Sequence, residues 1–173
     1  VFAGTESGMF QSTDAGQTWT AMTMDKDIED LAISPNFAVD STMFISEHWE
    51  GIYKSSDRGA TWNPVDMNIG DEVSVTFLEA SPKYAADQTV FAATVCNGVF
   101  ASPDAGATWI YLGLEGTFIR SLLVSPEYDI DNDIFAGAWD GVYKYDGGTK
   151  WTRVLNLRRY EDTSYLITAD SLG

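Results

Sequence analysis

Apolar and polar residues alternate over short runs along the 173-residue chain, and turn-forming residues separate these runs. The stretch between residues 29 and 65 shows the pattern best, with the runs EDLAIS, TMFISE, GIYKSS and TWNPV. Alternation with a period of two predicts β-strands that are half-buried. Pro35 directly follows the first run and predicts its end, because proline has no N–H to donate to a sheet. No run has the period of a long amphipathic helix, so the pattern predicts an all-β chain.

A motif of eight residues that ends in tryptophan recurs along the chain. It reads STDAGQTW at residues 12–19, SSDRGATW at 55–62 and SPDAGATW at 102–109, and a weaker copy, KYDGGTKW, occupies residues 144–151. The copies recur at intervals of about 45 residues, and a repeat of this length made only of short strands is typical of a four-stranded propeller blade.

The motif is predicted to form the hairpin turn between the third and fourth strands of each repeat. Its aspartate is suited to accept hydrogen bonds from backbone N–H groups of the turn, and its threonine hydroxyl is near enough to join these bonds. Its glycine is suited to adopt a positive φ. Its tryptophan is suited to pack between neighbouring sheets. The residues assigned this structural role are Ser12, Asp14, Gly16, Thr18, Trp19, Ser55, Asp57, Gly59, Thr61, Trp62, Ser102, Asp104, Gly106, Thr108, Trp109, Asp146, Gly148 and Trp151.

The pattern S-x-D-x-G-x-T-W resembles the Asp-box, or BNR repeat. Three copies match it fully, whereas the last has Lys144 in place of the serine and Lys150 in place of the threonine. The longer units SPNFAVDSTMF and SPKYAADQTVF are similar to Asp-box propellers related to the photosystem II assembly factor. Sortilin-type receptors, sialidases and xyloglucanases are more distant relatives. These resemblances imply a β-propeller of four-stranded antiparallel blades, with no indication of a shared function.

On this interpretation residues 1–173 form one propeller domain or a propeller fragment. The repeat units are approximately 1–27, 28–69, 70–116 and 117–160, and residues 161–173 are a further inner strand suited to complete the first blade. Two arrangements stay open, a closed four-bladed ring and a part of a larger propeller. An incomplete ring would leave an unpaired sheet edge and favour self-association.

Charge and composition exclude several classes of function. The chain carries 26 acidic residues against 10 basic ones, a formal net charge of −16, and such a surface repels nucleic acid. No apolar run approaches the roughly 18 residues of a membrane-spanning helix. The single cysteine, Cys96, excludes an internal disulfide and a cysteine-based zinc site, and no cofactor is predicted. The acidic surface suits an extracellular, cell-surface or periplasmic protein, although no leader sequence is visible.

Two tryptophans outside the repeated motif indicate a binding face. Trp49 in EHWEG and Trp139 in GAWDG lie next to carboxylates, in the loops between second and third strands. These loops share one face of a propeller with the connections between blades, opposite the motif turns. A tryptophan beside an acid there is a platform for a sugar ring or a cation, or it packs against the next blade. The candidate ligand-binding residues are His48, Trp49, Glu50, Trp139, Asp140, Arg158 and Arg159.

Three other groups of residues are weaker candidates. His48 is the only histidine, so a catalytic base of that type would have to be this residue. Arg158 and Arg159 are suited to clamp a carboxylate or to pair with nearby acids. Asp129, Asp131 and Asp133 alternate as calcium ligands do, but the glycine and glutamate of an EF-hand loop are missing, and Asp131 recurs in the other repeats.

The sequence predicts a non-catalytic interaction or scaffold module that binds a protein or a glycan and belongs to a larger extracellular or cell-surface protein. The alternative is a glycoside hydrolase, or a part of one. A sialidase needs an arginine triad, and a xyloglucanase needs two aspartates across a cleft between two propellers; neither arrangement is recognised here. No catalytic residue is assigned.

Overall fold

A computed structural model of the chain describes residues 1–69 and 73–157 and confirms the all-β prediction. The described strands form four antiparallel sheets in chain order, and in each sheet consecutive strands are neighbours. Sheet 1 contains β1 (Phe2–Thr5), β2 (Gly8–Gln11) and β3 (Thr20–Ala21). Sheet 2 contains β4 (Ile28–Ile33), β5 (Met43–Glu47), β6 (Gly51–Ser55) and β7 (Asn63–Val65). Sheet 3 contains β8 (Val75–Ala80), β9 (Val90–Thr94), β10 (Val99–Ser102) and β11 (Ile110–Gly113), and sheet 4 contains β12 (Ile119–Val124), β13 (Ile134–Ala138), β14 (Gly141–Gly147) and β15 (Lys150–Asn156).

Neighbouring sheets pack against each other through their first strands. Strand β1 contacts β4, β4 contacts β8, and β8 contacts β12, so the sheets follow one another in chain order. A separate apolar core fills each junction: Met9, Ile28 and Met43 belong to the first, Phe44 and Val75 to the second. The third contains Phe91, Val99, Ile119 and Ile134. Each repeat therefore depends on its neighbour for burial, as in other repeat proteins.

The second strand of a sheet is more deeply buried than its alternating pattern predicts. All five residues of β5 and all five of β9 are buried, including the polar residues Ser46, Glu47 and Thr94. The expectation of a half-buried strand is wrong here, because sheets on both sides cover the middle of the sheet between them. In β5, Met43 and Ile45 belong to the first core and Phe44, on the opposite face, belongs to the second.

Three short helical turns join first and second strands, where the sequence predicted only loops. They are α1 (Phe37–Asp40), α2 (Tyr84–Asp87) and α3 (Tyr128–Asp131). In the first, Asp40 accepts hydrogen bonds from the Ser34 hydroxyl at 2.6 Å and from the Thr42 amide at 2.9 Å. The same pair of bonds recurs at Asp87 and at Asp131. Four residues are too few to show helical periodicity in a sequence.

The three full copies of the tryptophan-ended motif fold into one and the same turn, which we call the Asp-centred turn (residues 12–19, 55–62 and 102–109). In the second, Asp57 accepts hydrogen bonds from the Thr61 amide at 2.9 Å, the Thr61 hydroxyl at 2.6 Å and the Ser55 hydroxyl at 2.8 Å. The buried Ser55 oxygen in turn accepts from the Gly59 amide at 2.8 Å. These bonds, led by those from Thr61, lower the pKa of Asp57 to about 2.

The tryptophans that end the four copies of the motif pack toward the preceding sheet, with one exception. Trp62, Trp109 and Trp151 are partly buried against the three cores, and the indole N–H of Trp151 donates to the Leu112 carbonyl of sheet 3 at 2.8 Å. Trp19 is 43% exposed, contrary to the expectation that it packs between sheets. No sheet precedes sheet 1 among the described residues, so its ring has no such surface to cover.

The fourth copy of the motif is built differently. Strands β14 and β15 continue to Gly147 and Lys150, so the hairpin closes over two residues, and Gly147 and Gly148 both have positive φ. The Asp146 carboxylate contacts the Thr152 hydroxyl, and the Tyr145 hydroxyl donates to the Gly148 carbonyl at 2.7 Å. Lys144 and Lys150 replace the serine and threonine of the motif. Backbone pairing of β14 with β15 therefore closes this turn in place of the side-chain hydrogen bonds of the other three copies.

Candidate functional site

The antiparallel order of the strands separates two ends of the structure. At one end the Asp-centred turns meet the helical turns: the Arg58 amide donates to the Ser41 carbonyl at 3.1 Å and the Ala105 amide to the Gln88 carbonyl at 2.9 Å. At the other end lie the connections between sheets and the loops between second and third strands. In sheet 1, where the Asp-centred turn follows β2 as it follows β6 and β10 in the other sheets, the corresponding loop joins β1 and β2. We call this second end the loop face; in the described chain it comprises residues 6–7, 22–27, 48–50, 66–69, 73–74, 95–98, 114–118 and 139–140.

Trp49 stands out on the loop face by its exposure, and it shares a left-handed backbone conformation there with Asn68 and Leu114. Its side chain is 60% exposed, and its φ of 74° lies in the left-handed region, which is unfavourable for a bulky residue. The ring of His48 meets it edge-on, with centroids 4.8 Å apart. His48 also contacts the Glu29 carboxylate, and this contact raises the pKa of the imidazole. The loop thus holds an exposed indole beside a contact between an imidazole and a carboxylate.

Glu50 is engaged by two neighbours at the edge of a cleft. Its carboxylate contacts the Lys26 ammonium and accepts a hydrogen bond from the Tyr53 hydroxyl at 3.1 Å. Both contacts, led by that with Lys26, lower the pKa of Glu50. The cleft has a volume of about 420 Å³, and Trp49, Glu50, Tyr53 and Met67 are among the residues that line it.

Trp139 in sheet 4 is 58% exposed and forms a corner with two residues that sequence reasoning missed. The ring of Phe118 meets its ring at 89°, with centroids 6.3 Å apart. The guanidinium of Arg120 lies 4.9 Å from the Phe118 centroid and 5.5 Å from the Trp139 centroid. The run TFIR gave no motif by which to find these residues, because the corner forms only when β12 pairs with β13.

Asp140 follows Trp139 but turns to a different partner. Its carboxylate accepts hydrogen bonds from the Arg153 guanidinium at 2.7 Å and from the Tyr143 hydroxyl at 2.8 Å. The Asp140 carbonyl accepts from the Leu157 amide at 3.1 Å. The other two candidates of this region, Arg158 and Arg159, lie outside the described residues. The structure therefore brings His48, Trp49 and Glu50 together on sheet 2, and Trp139 and Asp140 together on sheet 4.

The three aspartates considered for calcium have separate partners. Asp129 contacts the Lys83 ammonium, Asp133 lies 2.7 Å from the Lys144 ammonium, and Asp131 accepts the Ser125 and Asp133 bonds of its helical turn. Within residues 1–69 and 73–157, no three acidic, histidine or cysteine side chains converge as metal ligands would.

Two further acids that the sequence did not single out lie on neighbouring first strands. Asp30 on β4 accepts a hydrogen bond from the Leu78 amide of β8 at 2.7 Å, and burial raises its pKa. Glu79 on β8 keeps solvent contact, but burial of its surroundings and the charge of Asp30 raise its pKa to about 7. Glu79 lies opposite Phe91 in the neighbouring strand. At the same position of the adjacent sheets an apolar residue, Ala32 or Leu123, lies opposite a phenylalanine. An acid where the other repeats have an apolar residue was therefore the sequence signal for Glu79.

None of the helices in the described part of the chain has the length and apolar character needed to cross a bilayer. The free Cys96 is exposed in the loop of sheet 3.

Comparison with known proteins supports the propeller fold. No family model and no curated protein matches the chain. Among solved structures, it is similar to a GH74 enzyme of Niastella koreensis, with a TM-score of 0.69 and 21% identity over 89% of this chain and 27% of that one. It is also similar to YCF48 bound to a D1 peptide, with a TM-score of 0.62 and 15% identity over 88% of this chain and 49% of that one. The extracellular domain of BT4673 from B. thetaiotaomicron matches with a TM-score of 0.65 and 14% identity over 90% of this chain and 22% of that one.

These three structures are β-propeller proteins, and the chain spans less than half the length of each. At such identities the likeness extends to the fold and not to activity.

Proposed function

We propose that the chain is a non-catalytic propeller module that binds a protein or a glycan through the loop face, as part of a larger extracellular, cell-surface or periplasmic protein. One observation carries the proposal: Trp49 and Trp139, 60% and 58% exposed, lie in equivalent loops of two sheets on that face. Tryptophan is enriched at binding hot spots, where a large rigid ring becomes covered by a partner.

The backbone of Trp49 supports this proposal. The left-handed conformation costs a non-glycine residue about 1–2 kcal/mol, and the exposed indole recovers little of that cost by packing. Strain of this kind is concentrated at ligand sites, where the surrounding fold holds a side chain in position.

The charges of the loop face favour binding over catalysis. His48 contacts Glu29, Glu50 contacts Lys26 and Asp140 contacts Arg153, so each of these three titratable candidates is already engaged by a neighbouring side chain. A general acid or base needs a pKa near the working pH and a free path to the substrate. Among similar structures, YCF48 is described as bound to a D1 peptide, which is an example of peptide binding on this fold.

Substitution of the two exposed tryptophans tests the proposal. We expect Trp49→Ala and Trp139→Ala each to weaken binding to a captured protein or to a glycan array by about tenfold or more, because each removes a rigid aromatic contact. Ile130→Ala is the matched control, since Ile130 is 72% exposed but lies in α3 at the opposite end.

Unchanged binding in both tryptophan variants would contradict the use of this face. Measurable turnover of sialosides or β-glucans by the purified chain would replace the proposal with the alternative, a glycoside hydrolase.

A further inference from the structure

Arg120 differs from the other arginines in the described chain. Arg58 donates to the Ser41 hydroxyl at 3.1 Å and to the Ala38 carbonyl at 3.2 Å, and Arg153 donates to Asp140 at 2.7 Å. Arg120 is exposed and has neither an ion pair nor a hydrogen bond to any described residue. The chain is rich in acidic residues, so an arginine without an acidic partner among residues 1–69 and 73–157 calls for a reason.

The equivalent positions of the other four-stranded sheets sharpen this contrast. The pairing of β12 with β13 shifts its register at Arg120. The corresponding register shifts in β4 and β8 lie at Glu29 and Thr76. Glu29 contacts His48 in the loop of its own sheet, and the Thr76 hydroxyl donates to the Ala93 carbonyl at 3.4 Å. In sheet 4 the acid of the loop, Asp140, accepts hydrogen bonds from Arg153 and Tyr143 instead of contacting Arg120.

Arg120 is held by aromatic contacts instead. Its guanidinium lies over the rings of Phe118 and Trp139, which are 41% and 58% exposed, at 4.9 and 5.5 Å from their centroids. Cation–π contacts of this kind hold a guanidinium in place without using its N–H groups as hydrogen-bond donors. A planar fork of N–H donors matches the two oxygens of a carboxylate.

We propose that Phe118, Arg120 and Trp139, which we call the Arg120 corner, bind a single carboxylate of a peptide partner, either an acidic side chain or a C-terminus next to an apolar residue. The inference rests on the proposed function, because the Arg120 corner is part of the loop face. It names one chemical group, a carboxylate, by which the partner would contact that face.

Two observations favour a peptide over an acidic glycan. The guanidinium already covers one face of each ring, and the rings meet at 89°, so the corner is not the flat open platform on which a sugar ring stacks. The net charge of −16 repels polyanions such as polyuronates far more than a neutral or basic peptide that carries one acid.

A matched pair of small probes tests the corner directly. N-acetylphenylalanine has a free carboxylate beside an aromatic group, and its amide differs only in lacking that charge. We expect the acid to produce saturable shifts of the Trp139 indole and Arg120 Nε signals in ¹H–¹⁵N spectra at millimolar concentrations, and the amide to bind at least fivefold more weakly.

Two variants, one that removes the charge and one that keeps it, then assign the effect to Arg120. Arg120→Gln should weaken binding of the acid at least fivefold, and Arg120→Lys should retain only part of it, because an ammonium keeps the charge but not the fork. Lys150→Gln removes the same charge from an exposed residue at the opposite end and should change binding by less than twofold.

Equal binding of acid and amide, unchanged binding in Arg120→Gln, or no saturable shift would each overturn the inference. Preferential binding of a galacturonate oligomer would also overturn it, in favour of an acidic glycan. If Trp139→Ala abolishes capture of the native partner while Arg120→Gln does not, the proposed function stands and the carboxylate contact fails.

Discussion

At the scale of single residues, the aspartates of the Asp-centred turns are each held by several hydrogen bonds. Asp14, Asp57 and Asp104 each accept bonds from a serine hydroxyl, a threonine amide and a threonine hydroxyl within the same turn. All of these donors favour the ionised carboxylate, which is why the pKa of each aspartate is lowered. The ionised form is therefore part of the folded structure.

This ionisation predicts how stability depends on acid. The pKa of Asp57 falls from 3.8 in its ordinary state to about 2 in the fold, so its contribution is fully present above pH 3.8 and is lost as the pH falls through about 2. We expect Asp57→Asn to make the free energy of unfolding less steeply dependent on pH between 4 and 2, as measured by urea denaturation at a series of pH values.

Asp146→Asn is the comparison for this prediction, because the Asp146 carboxylate contacts only the Thr152 hydroxyl among described residues. If both variants show the same pH dependence as the unaltered chain, the turn aspartates do not account for acid sensitivity.

At the scale of elements, the turn acts through its buried serine as much as through its aspartate. Ser55 and Ser102 are fully buried, and each accepts the amide of the turn glycine while donating to the aspartate. The serine thereby links the end of the third strand to the start of the turn. Strand β14 lacks this link and is extended by backbone pairing.

Ser55→Ala should therefore destabilise the fold by about 1–3 kcal/mol, because it leaves the buried Gly59 amide without an acceptor. Lys144→Ala, at the equivalent position of sheet 4, removes a partly exposed ion pair with Asp133 and should have a smaller effect. Chemical denaturation of both variants measures the difference. A loss at Lys144 as large as that at Ser55 would contradict this account.

The elements also show which features a sequence can predict. The Asp-centred turns were predictable because every partner lies within eight residues, so composition and spacing specify the contacts. The helical turns were missed because one turn is too short to have a period. The Arg120 corner was missed because Phe118 precedes β12 and Trp139 follows β13, so the two rings meet only when these strands pair.

At the scale of the whole molecule, the fold depends on close contact between successive sheets. Gly4 on β1 faces Ile28 on β4, and a β-carbon at Gly4 would lie 2.5 Å from the Ile28 Cγ2 atom and 2.9 Å from its Cβ atom. Ile28 is buried and β-branched, so it has little freedom to move aside. The glycine thus allows the first two sheets to approach.

Gly4→Ala should destabilise the protein by about 1–3 kcal/mol through overpacking at this junction. Ile28→Ala removes the Cγ2 atom, so the cost of Gly4→Ala should be smaller in that background. A double-mutant cycle of unfolding free energies measures the coupling. Additive effects of the two substitutions would show that the sheets do not meet through these atoms.

The order of the sheets was predictable from the repeat, whereas the surroundings of each repeat were not. Identical motifs leave Trp19 exposed but Trp62 partly buried, because only the second has a sheet before it in the described chain. All five residues of β5 are buried because sheets 1 and 3 cover the two faces of sheet 2. The sequence of a single repeat does not show which sheets will lie beside it.

The separation of the two ends of the structure has a practical consequence. The side chains that close the repeats lie at one end, and the variable residues Glu29, Thr76 and Arg120 occupy one shared backbone position near the other. An engineer can therefore graft new recognition residues onto one repeat at a time, in combinatorial libraries, without replacing any hydrogen-bonding residue of the Asp-centred turns.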